Sequence, residues 1–410
     1  MRLKTLTILG LFFITSIAKA ETEVSIDSLI FYESHVMDTL QKGDLRVNID
    51  NVNFFRDNEY KGDLTKGYTL PGFWFRPTVS YQPLKNIRVE VGAHFLHYWG
   101  ANKYPSLNYS DMPEWKGEQN QTGFHVLPFL RAQVALTSRF QVVLGSLYGR
   151  GSHGLIEPLY NQEVGLSGDP ETGIQFLWDL SWMNLDMWIN WESFIFDNDY
   201  HHESFTFGLS TKFSLNKPSS FAHVYIPLQV MAQHRGGEIN TESEDRDVKT
   251  WMNSAFGVGV RFNMHSRYLT SIWLESYGVA YSQVAGGQLP FDDGYGVYTM
   301  AGVQLWRFNI SGGFWWSKDY ISIHGNPLFG AMSIYETDYI VDEPRMIRLH
   351  ADYAQPVGKG FSIGMHTDVY HNLGVKAYDD ENGWMDVESK ISFAFGVYLR
   401  INTSFLIKKF

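Results

Sequence analysis

The chain of 410 residues contains no cysteine. A disulfide scaffold, a thiol nucleophile and a cysteine-bound metal are therefore excluded as sources of stability or chemistry. Beyond residue 20 the chain also lacks an apolar run approaching the roughly 20 residues that a membrane-spanning helix requires. Basic residues are outnumbered, 33 Lys and Arg against 44 Asp and Glu, and this acidity argues against nucleic acid as a partner. Linkers, low-complexity runs and blocks of like charge are absent as well.

The start of the chain has the layout of a secretory signal peptide. Arg2 and Lys4 precede the apolar run TLTILGLFFITSIA, which closes on the small-x-small sequence Ala18-Lys19-Ala20. About 12 apolar residues are too few to cross a bilayer as a helix, which disfavours a membrane anchor. We expect cleavage after residue 20, and loss of the three basic residues would change the net charge from −11 to −14.

What the sequence does have is a high aromatic content, 16% of the chain, and a repeated alternation of polarity. In residues 122–137, TGFHVLPFLRAQVALT, one set of alternate positions is entirely apolar, whereas the other carries His125, Arg131 and Gln133. Successive side chains of a strand point to opposite faces, so this segment predicts a strand with one apolar and one polar face. Similar segments recur near residues 73–81, 87–95, 174–192, 361–369 and 390–401.

The connections between these segments alternate in length. Short turns are predicted near residues 82–86, 138–139, 183–184, 215–219, 264–267, 306–308 and 356–359. Longer, polar loops are predicted near residues 58–69, 99–120, 149–171, 197–202, 236–248, 284–293, 318–344 and 374–385. Seven short turns and eight long loops connect about 16 strands. This asymmetry is typical of a barrel with periplasmic turns and longer external loops.

We therefore predict an all-β fold, a transmembrane antiparallel β-barrel of about 16 strands with both termini periplasmic. The predicted organisation is a signal peptide at 1–20, an N-terminal periplasmic segment at 21–47 and the outer-membrane barrel at 48–410. Such strands can lie in hydrocarbon because a closed barrel pairs every backbone N–H and C=O. A large soluble β-sandwich or propeller is disfavoured by the signal peptide and by aromatic residues near strand ends, which suit a membrane interface.

Three stretches carry a resemblance to known proteins. The C-terminal SFLIKKF, which ends in Phe410, resembles the terminal aromatic signature read by the barrel-assembly machinery of Gram-negative outer membranes. The stretches FFRDNEYKGDLTKGYTLPGFWFRPTVSY (54–81) and GSLYGRGSHGLIEPLYNQE (145–163) are similar to uncharacterised, porin-like outer-membrane β-barrel proteins of Bacteroidota. The resemblance implies a location in the outer membrane, surrounded by its lipid, with Phe410 as an assembly signal. It implies no activity.

The function is expected to come from the lumen. The polar faces of the strands predict a charged pore lining made of Arg76, Arg88, Glu90, His94, Arg131, Asp179, Asp186, Glu192, Arg261, Arg348, Asp352, His366 and Asp368. Barrels of 16–18 strands leave an aqueous channel, and opposed basic and acidic walls would select solutes by charge. We predict a porin-like passive channel for small hydrophilic solutes, with no cofactor, no metal and no enzymatic activity. The simpler interpretation, in which these charges only pair with each other and with water, stays open.

Catalysis is disfavoured because the sequence has neither a Gly-x-Ser-x-Gly motif nor a zinc-type spacing of His and Glu. Ser152-His153 and the run HHES at 201–204 supply suitable residue types, but neighbours on a strand face opposite ways.

Two further alternatives concern the long loops. A surface glycan-binding or assembly role would use aromatic residues such as Trp99, Tyr104 and Trp115. Residues 149–170 are apolar enough either to fold into the pore or to pack across its mouth or against a neighbouring subunit. The solute and the oligomeric state are not determined by the sequence.

Overall fold

The structure is a computed structural model that describes residues 25–99, 124–194, 202–237, 248–264, 266–336 and 338–410. The predicted signal peptide lies outside the described residues, as do His201, Tyr104 and Trp115. No helix in the described ranges is both long and apolar enough to cross a bilayer.

The described chain forms nineteen strands, most of them long. The first ten are β1 (Asp44–Glu59), β2 (Tyr68–Leu84), β3 (Ile87–Tyr98), β4 (Phe124–Ala135), β5 (Phe140–Ser146), β6 (Thr172–Asp179), β7 (Met183–Ser193), β8 (Ser204–Ser214), β9 (Ala222–Arg235) and β10 (Lys249–Asn263). The others are β11 (Leu269–Ala285), β12 (Asp293–Leu305), β13 (Phe308–Lys318), β14 (Ile340–Asp342), β15 (Arg345–Gly358), β16 (Phe361–Asn372), β17 (Val375–Asp379), β18 (Gly383–Val387) and β19 (Lys390–Lys409).

Sixteen of these strands close into one antiparallel barrel. Its order follows the chain from β1 to β13 and then through β15, β16 and β19, which pairs with β1. The predicted barrel of about 16 strands is confirmed. Two short turns differ from their predicted positions. The turn predicted at 183–184 lies at 180–182, where the Leu180 N–H donates to the Met183 carbonyl over 2.7 Å, and the turn predicted at 356–359 lies at 359–360. The loops predicted at 99–120 and 197–202 lie almost entirely outside the described residues. Strands β14, β17 and β18 form a separate three-stranded sheet in the long loops.

The two faces of each barrel strand differ as the alternation predicts. On β4, Leu130 is 55% exposed, whereas the adjacent Arg131 is 1% exposed. Apolar side chains on the outer wall have no protein to cover them, so this surface is the one that faces lipid. Closure pairs the backbone of every strand on both sides, which is the condition for a strand to lie in hydrocarbon. The fold is therefore a transmembrane β-barrel.

The lumen is occupied by polypeptide. Three segments enter it: residues 25–43 before β1, the loop 147–171 between β5 and β6, and the loop 319–339 between β13 and β14. Their short helices are a π-helical turn at Asp27–Phe31, 3-10 turns at Thr39–Gln41, Arg150–His153 and Pro327–Phe329, and an α-helical turn at Val164–Ser167. Leu159, Ile321 and Phe329 are fully buried there. Residues 25–43 thus lie inside the barrel, whereas the sequence predicted a periplasmic segment at 21–47. Strand β1 begins four residues before the predicted boundary at 48.

Loops 147–171 and 319–339 are joined to each other as well as to the wall. The Tyr320 hydroxyl and the Ser322 hydroxyl donate to the Pro158 carbonyl over 3.1 and 2.8 Å. The Asn161 N–H donates to the His324 carbonyl over 2.8 Å. On the wall, the Asn253 side chain binds the backbone of loop 319–339 with its amide and its carbonyl. Of the two placements open for residues 149–170, the structure has the inward one, because their apolar side chains find a core there.

Candidate functional site

The predicted pore-lining residues lie on the inner faces of their strands, but many contact the inserted segments instead of open water. Glu33 of the N-terminal segment accepts a hydrogen bond from Arg76 over 2.9 Å and another, shorter one from Arg131. Arg131 also reaches Glu90 over 3.2 Å. Burial disfavours the charged form of Glu33, yet the charges of Arg131 and Arg76 hold its pKa well below the usual range. The basic residues Arg76 and Arg131 of the barrel wall thus bind the N-terminal segment of the same chain.

A second cluster surrounds Arg348 on β15. Its guanidinium reaches Asp368 on β16 over 2.7 Å and Glu157 of loop 147–171 over 2.8 Å. His350 lies between two carboxylates, with Nδ1 2.8 Å from Asp368 and Nε2 3.1 Å from Asp352. His366 is buried nearby and stacks on a tyrosine ring. No group of His, Asp and Glu in the described ranges has the arrangement of a metal site.

The acidic wall holds loop 147–171 through His153. Nδ1 of His153 is 2.7 Å from Asp186, and Nε2 is 2.7 Å from Glu171. Burial lowers the pKa of the His153 imidazole, but the two carboxylates outweigh burial and raise the pKa to about 9. Asp179, on the same wall, binds His35 of the N-terminal segment over 2.9 Å.

These contacts leave two of the lumen histidines unsuited to act as a general base. A general base needs a free ring nitrogen, and both nitrogens of His153 and of His350 are held by carboxylates. The hydroxyl of Ser152 accepts a hydrogen bond from the Glu33 N–H over 3.0 Å. The neighbouring residues Ser152 and His153 therefore serve different partners, as the sequence suggests.

The outer wall carries a different arrangement near the extracellular ends of β9 and β10. His234 and Thr250 lie directly opposite each other across these strands, and the His234 Nδ1 is 2.9 Å from the Thr250 hydroxyl. We call them the Thr250–His234 pair. The His234 ring packs on Phe205 of β8 with ring centroids 4.9 Å apart, and Phe205 stacks on Trp191 of β7 at 5.2 Å. The pair is thus set in an aromatic surface that faces the membrane.

The alternation of β9 explains why the pair faces outward. The inner set of β9 includes the buried His223, Gln229 and Gln233, so His234 belongs to the outer set. Glu203, just before β8, falls on the outer side by the same alternation because Ser204 is buried inside. The Gly236 N–H donates to the Glu203 carbonyl over 3.0 Å, which makes Glu203 a diagonal neighbour of His234.

A second polar group on the outer wall lies on β1 and β2, and we call it the β1–β2 patch. The Thr69 hydroxyl donates to the Asp57 carboxylate over 2.5 Å. Lower on β1, the Asn53 amide donates to the Asn51 side chain over 2.7 Å, and the Asn51 amide donates to the Trp74 carbonyl over 2.6 Å. Its polar atoms largely satisfy one another, and it holds a carboxylate and a hydroxyl but no imidazole.

Sequence reasoning missed His234 and Thr250 because it took the function to lie in the lumen. A signal was present in the sequence. The apolar set of β9 comprises six apolar residues at alternate positions, from 222 to 232, and then His234. An ionisable residue that ends an apolar, lipid-facing series breaks the pattern, and ionisable residues in membrane segments are candidates for a functional site.

The chain was compared with known families and proteins. The sequence model of the Lipid A 3'-O-deacylase-type family matches residues 37–410. A search of curated protein sequences gave no match.

Solved structures of outer-membrane proteins are similar in outline. OccAB2 of Acinetobacter baumannii is 9% identical, with 88% of this chain and 98% of that chain covered and a TM-score of 0.48. OccK8 (OprE) of Pseudomonas aeruginosa is 9% identical, with 89% and 99% covered and a TM-score of 0.48. OpdK of Pseudomonas aeruginosa, solved with vanillate, is 10% identical, with 89% and 100% covered and a TM-score of 0.46. The assignment of this chain as a sixteen-stranded barrel is made from its own strand pairing.

The family match corrects one expectation. We predicted no enzymatic activity, and that prediction is wrong at the level of the family, since the family that matches nearly the whole barrel has the name of an enzyme. The resemblance to proteins of Bacteroidota and the pore-lining role of the charged residues stay predictions.

Proposed function

Because this chain belongs to the Lipid A 3'-O-deacylase-type family, we propose that it hydrolyses an ester-linked acyl chain of lipid A from within the outer membrane. The substrate of such a reaction is itself a component of the membrane. Its acyl chains lie in hydrocarbon, and its ester bonds lie at the interface. An enzyme that is a barrel can meet these bonds on its outer wall without drawing the lipid out of the bilayer.

The Thr250–His234 pair is the observation that carries the site assignment. A hydroxyl within 2.9 Å of an imidazole nitrogen has the geometry of a nucleophile beside its base. The pair lies at the extracellular ends of β9 and β10, where the aromatic surface of Phe205 and Trp191 suits the interface.

The reaction can be written with these groups alone. His234 Nδ1 accepts the proton of the Thr250 hydroxyl while the Thr250 oxygen bonds to the ester carbonyl carbon. The bond between that carbon and the sugar oxygen then breaks, and the sugar oxygen takes the proton from His234. Water, deprotonated by His234, next attacks the acyl-threonine and releases a fatty acid and the free Thr250 hydroxyl.

The test is release of fatty acid from lipid A by the purified protein in mixed micelles, followed by mass spectrometry. Thr250→Ala and His234→Gln are expected to lower the rate by about 10²–10⁴-fold, because removal of a base costs that much in related chemistry. Thr250→Ser should retain activity. Thr69→Ala in the β1–β2 patch is the matched control, a lipid-facing threonine with a hydrogen-bonded partner of its own.

The outcomes separate the function from the site. Loss of activity in Thr69→Ala with retention in Thr250→Ala would leave the deacylase proposal standing and move the site to the β1–β2 patch. If the unaltered protein releases no fatty acid from lipid A under conditions where it is folded, the proposal is rejected.

A passive channel for small hydrophilic solutes is a second candidate. The observation that favours it is a small polar cavity of about 30 Å³ in the lumen, bounded by the N-terminal segment and loop 147–171 and lined by Glu33, Asp50, Arg76, Glu171 and Arg400. Charged walls of this kind would select ions if the passage were continuous. Planar-bilayer recording tests it, and absence of conductance even after removal of residues 152–168 would reject it.

A further inference from the structure

We propose that residues 25–43 form a displaceable plug, which leaves the lumen through the periplasmic end and opens a passage past the two inserted loops. We refer to residues 25–43 as the plug. The proposal deepens the channel candidate and is independent of the deacylase activity. It rests on three features of the plug: how little of it is buried, which groups hold it, and where it is attached.

The apolar contact of the plug is small. Ile26 and Ile30 are its two buried apolar side chains, at 3% and 1% exposed. Both lie over Gly364 on β16, where an added Cβ would come within 2.9 Å of Ile30 and 3.1 Å of Ile26. Val36 and Leu40, nearer the periplasmic end, are 66% and 80% exposed. Leu29 and Phe31 pack beside them and are partly buried, so the apolar contact of the plug is limited to residues 26–31.

Charged groups of the wall hold the middle of the plug. Glu33 is bound by Arg76 and Arg131. The Arg400 guanidinium donates to the carbonyl oxygens of Ile30 and Tyr32 over 3.2 and 2.7 Å while it pairs with Asp50. Unlike an apolar core, such a set of contacts can exchange with water and dissolved anions. Loss of the Glu33 carboxylate would leave two guanidinium groups short of a partner, so the plugged state is favoured while Glu33 is intact.

The plug takes no part in the barrel ladder. Its backbone is held at several points by side chains, including Ser152 at the Glu33 N–H, Gln133 at the His35 carbonyl and Gln82 at the Asp38 carbonyl. The barrel ladder begins after it, with Asp44 opposite Lys409. Departure of the plug would therefore break no strand pairing and would leave the barrel closed.

A pivot lies at the periplasmic rim. Gly43 has φ +83, and an added Cβ would lie 2.4 Å from the Phe410 carbonyl oxygen. The chain turns there from the lumen into β1, and the Gly43 N–H is fixed to the Gln82 carbonyl over 2.7 Å. Only glycine adopts this conformation at low cost. Gly43 thus tethers the plug to β1, beside the opening through which it would leave.

Thiol labelling tests the proposal, since the chain has no cysteine of its own. Ile30→Cys places a thiol deep in the lumen, and Leu40→Cys places one at the exposed end as a positive control. Leu159→Cys, in the fully buried part of loop 147–171, reports general loosening of the barrel. The probe is a maleimide on a polyethylene glycol chain too bulky to enter the lumen, and the protein is in liposomes with its heat-modifiable fold verified.

Ile30→Cys should react slowly on its own. When it is combined with Glu33→Gln, labelling should be about tenfold faster, because the ion pairs of the Glu33 carboxylate with Arg76 and Arg131 no longer hold the plug. Gly364→Leu, whose side chain would occupy the space that holds Ile26 and Ile30, should also make the labelling of Ile30→Cys faster. The proposal is overturned if neither change alters the Ile30→Cys rate while Leu40→Cys reacts readily. It is equally overturned if Leu159→Cys becomes reactive to the same extent. Faster labelling without conductance would support displacement of residues 25–43 but would overturn the passage that this displacement is proposed to open.

Discussion

The imidazole of His153 stacks on the indole of Trp188 with ring centroids 3.4 Å apart and an interplanar angle of 6°. His153 is in loop 147–171 and Trp188 is on the inner face of β7, so the stack fastens the loop to the wall. Asp186 and Glu171 each lie 2.7 Å from one of its two ring nitrogens. A charged imidazolium on an indole face between two carboxylates is a strong anchor in a water-poor setting.

The first prediction is that this anchor weakens at high pH. The pKa of His153 is raised from 6.5 to about 9, so its stabilising effect is fully present below pH 6.5 and is lost as the pH rises through about 9. The shift corresponds to roughly 3 kcal/mol at most. Hydrogen exchange in loop 147–171 should therefore increase between pH 7 and pH 10 beyond its intrinsic rise. In His153→Gln the exchange should be faster at pH 7 and should lack this additional pH dependence.

The second prediction concerns the buried pair of Arg56 on β1 and Glu163 of loop 147–171. Glu163 also accepts hydrogen bonds from Asn58 and Tyr68. Removing one member of a buried pair leaves an uncompensated charge, so Glu163→Ala should cost about 3–5 kcal/mol in urea unfolding. The exposed Arg345–Glu343 pair is the control, and Glu343→Ala should cost about 1 kcal/mol or less. Equal effects would contradict the assignment of Glu163 as an anchor.

The third prediction concerns the lipid face. Leu130→Arg near mid-membrane should cost about 2–4 kcal/mol, and Leu136→Arg near the periplasmic interface should cost about 0–1 kcal/mol, although both leucines are exposed. Reversible folding into liposomes measures the difference. Gln133→Arg, which alternation alone suggests is harmless, should also destabilise. Gln133 is fully buried and bonded to His35 and Gln141, so no space is left for a longer side chain.

The fourth prediction concerns Phe410 as an assembly signal. Its ring packs on Tyr81 with centroids 5.7 Å apart, and its N–H donates to the Gly43 carbonyl over 2.9 Å. Deletion of Phe410 should lower the yield of heat-modifiable barrel in cells without reducing export. Refolding of the purified deletion in detergent is the control, since it bypasses the assembly machinery. Normal assembly in cells would show that the terminal resemblance has no role here.

Much of the fold could be predicted from the sequence because the governing rules are local. The two-residue alternation in β4 set Leu130 outside and Arg131 inside without knowledge of any partner. Turn residues and loop lengths then gave the number of strands and the end of the barrel at which the long loops lie. Loop 147–171 was predicted to pack against protein because the apolar side chains of Leu155, Ile156 and Leu159 are unfavourable in water.

The partners of the charged residues depended on the tertiary structure. Alternation gives the side of the wall on which Arg76 or Arg131 lies, but it cannot say that Glu33, far away in sequence, occupies the space between them. The contact between Thr250 and His234 likewise depends on the tertiary structure. Residues 234 and 250 become opposite neighbours only through the register of β9 with β10, which closure of all sixteen strands fixes. Local periodicity was enough to predict the barrel and its two faces. What fills the lumen and which polar groups meet on the outer wall were decided by long-range pairing, because contact between distant residues depends on register and closure.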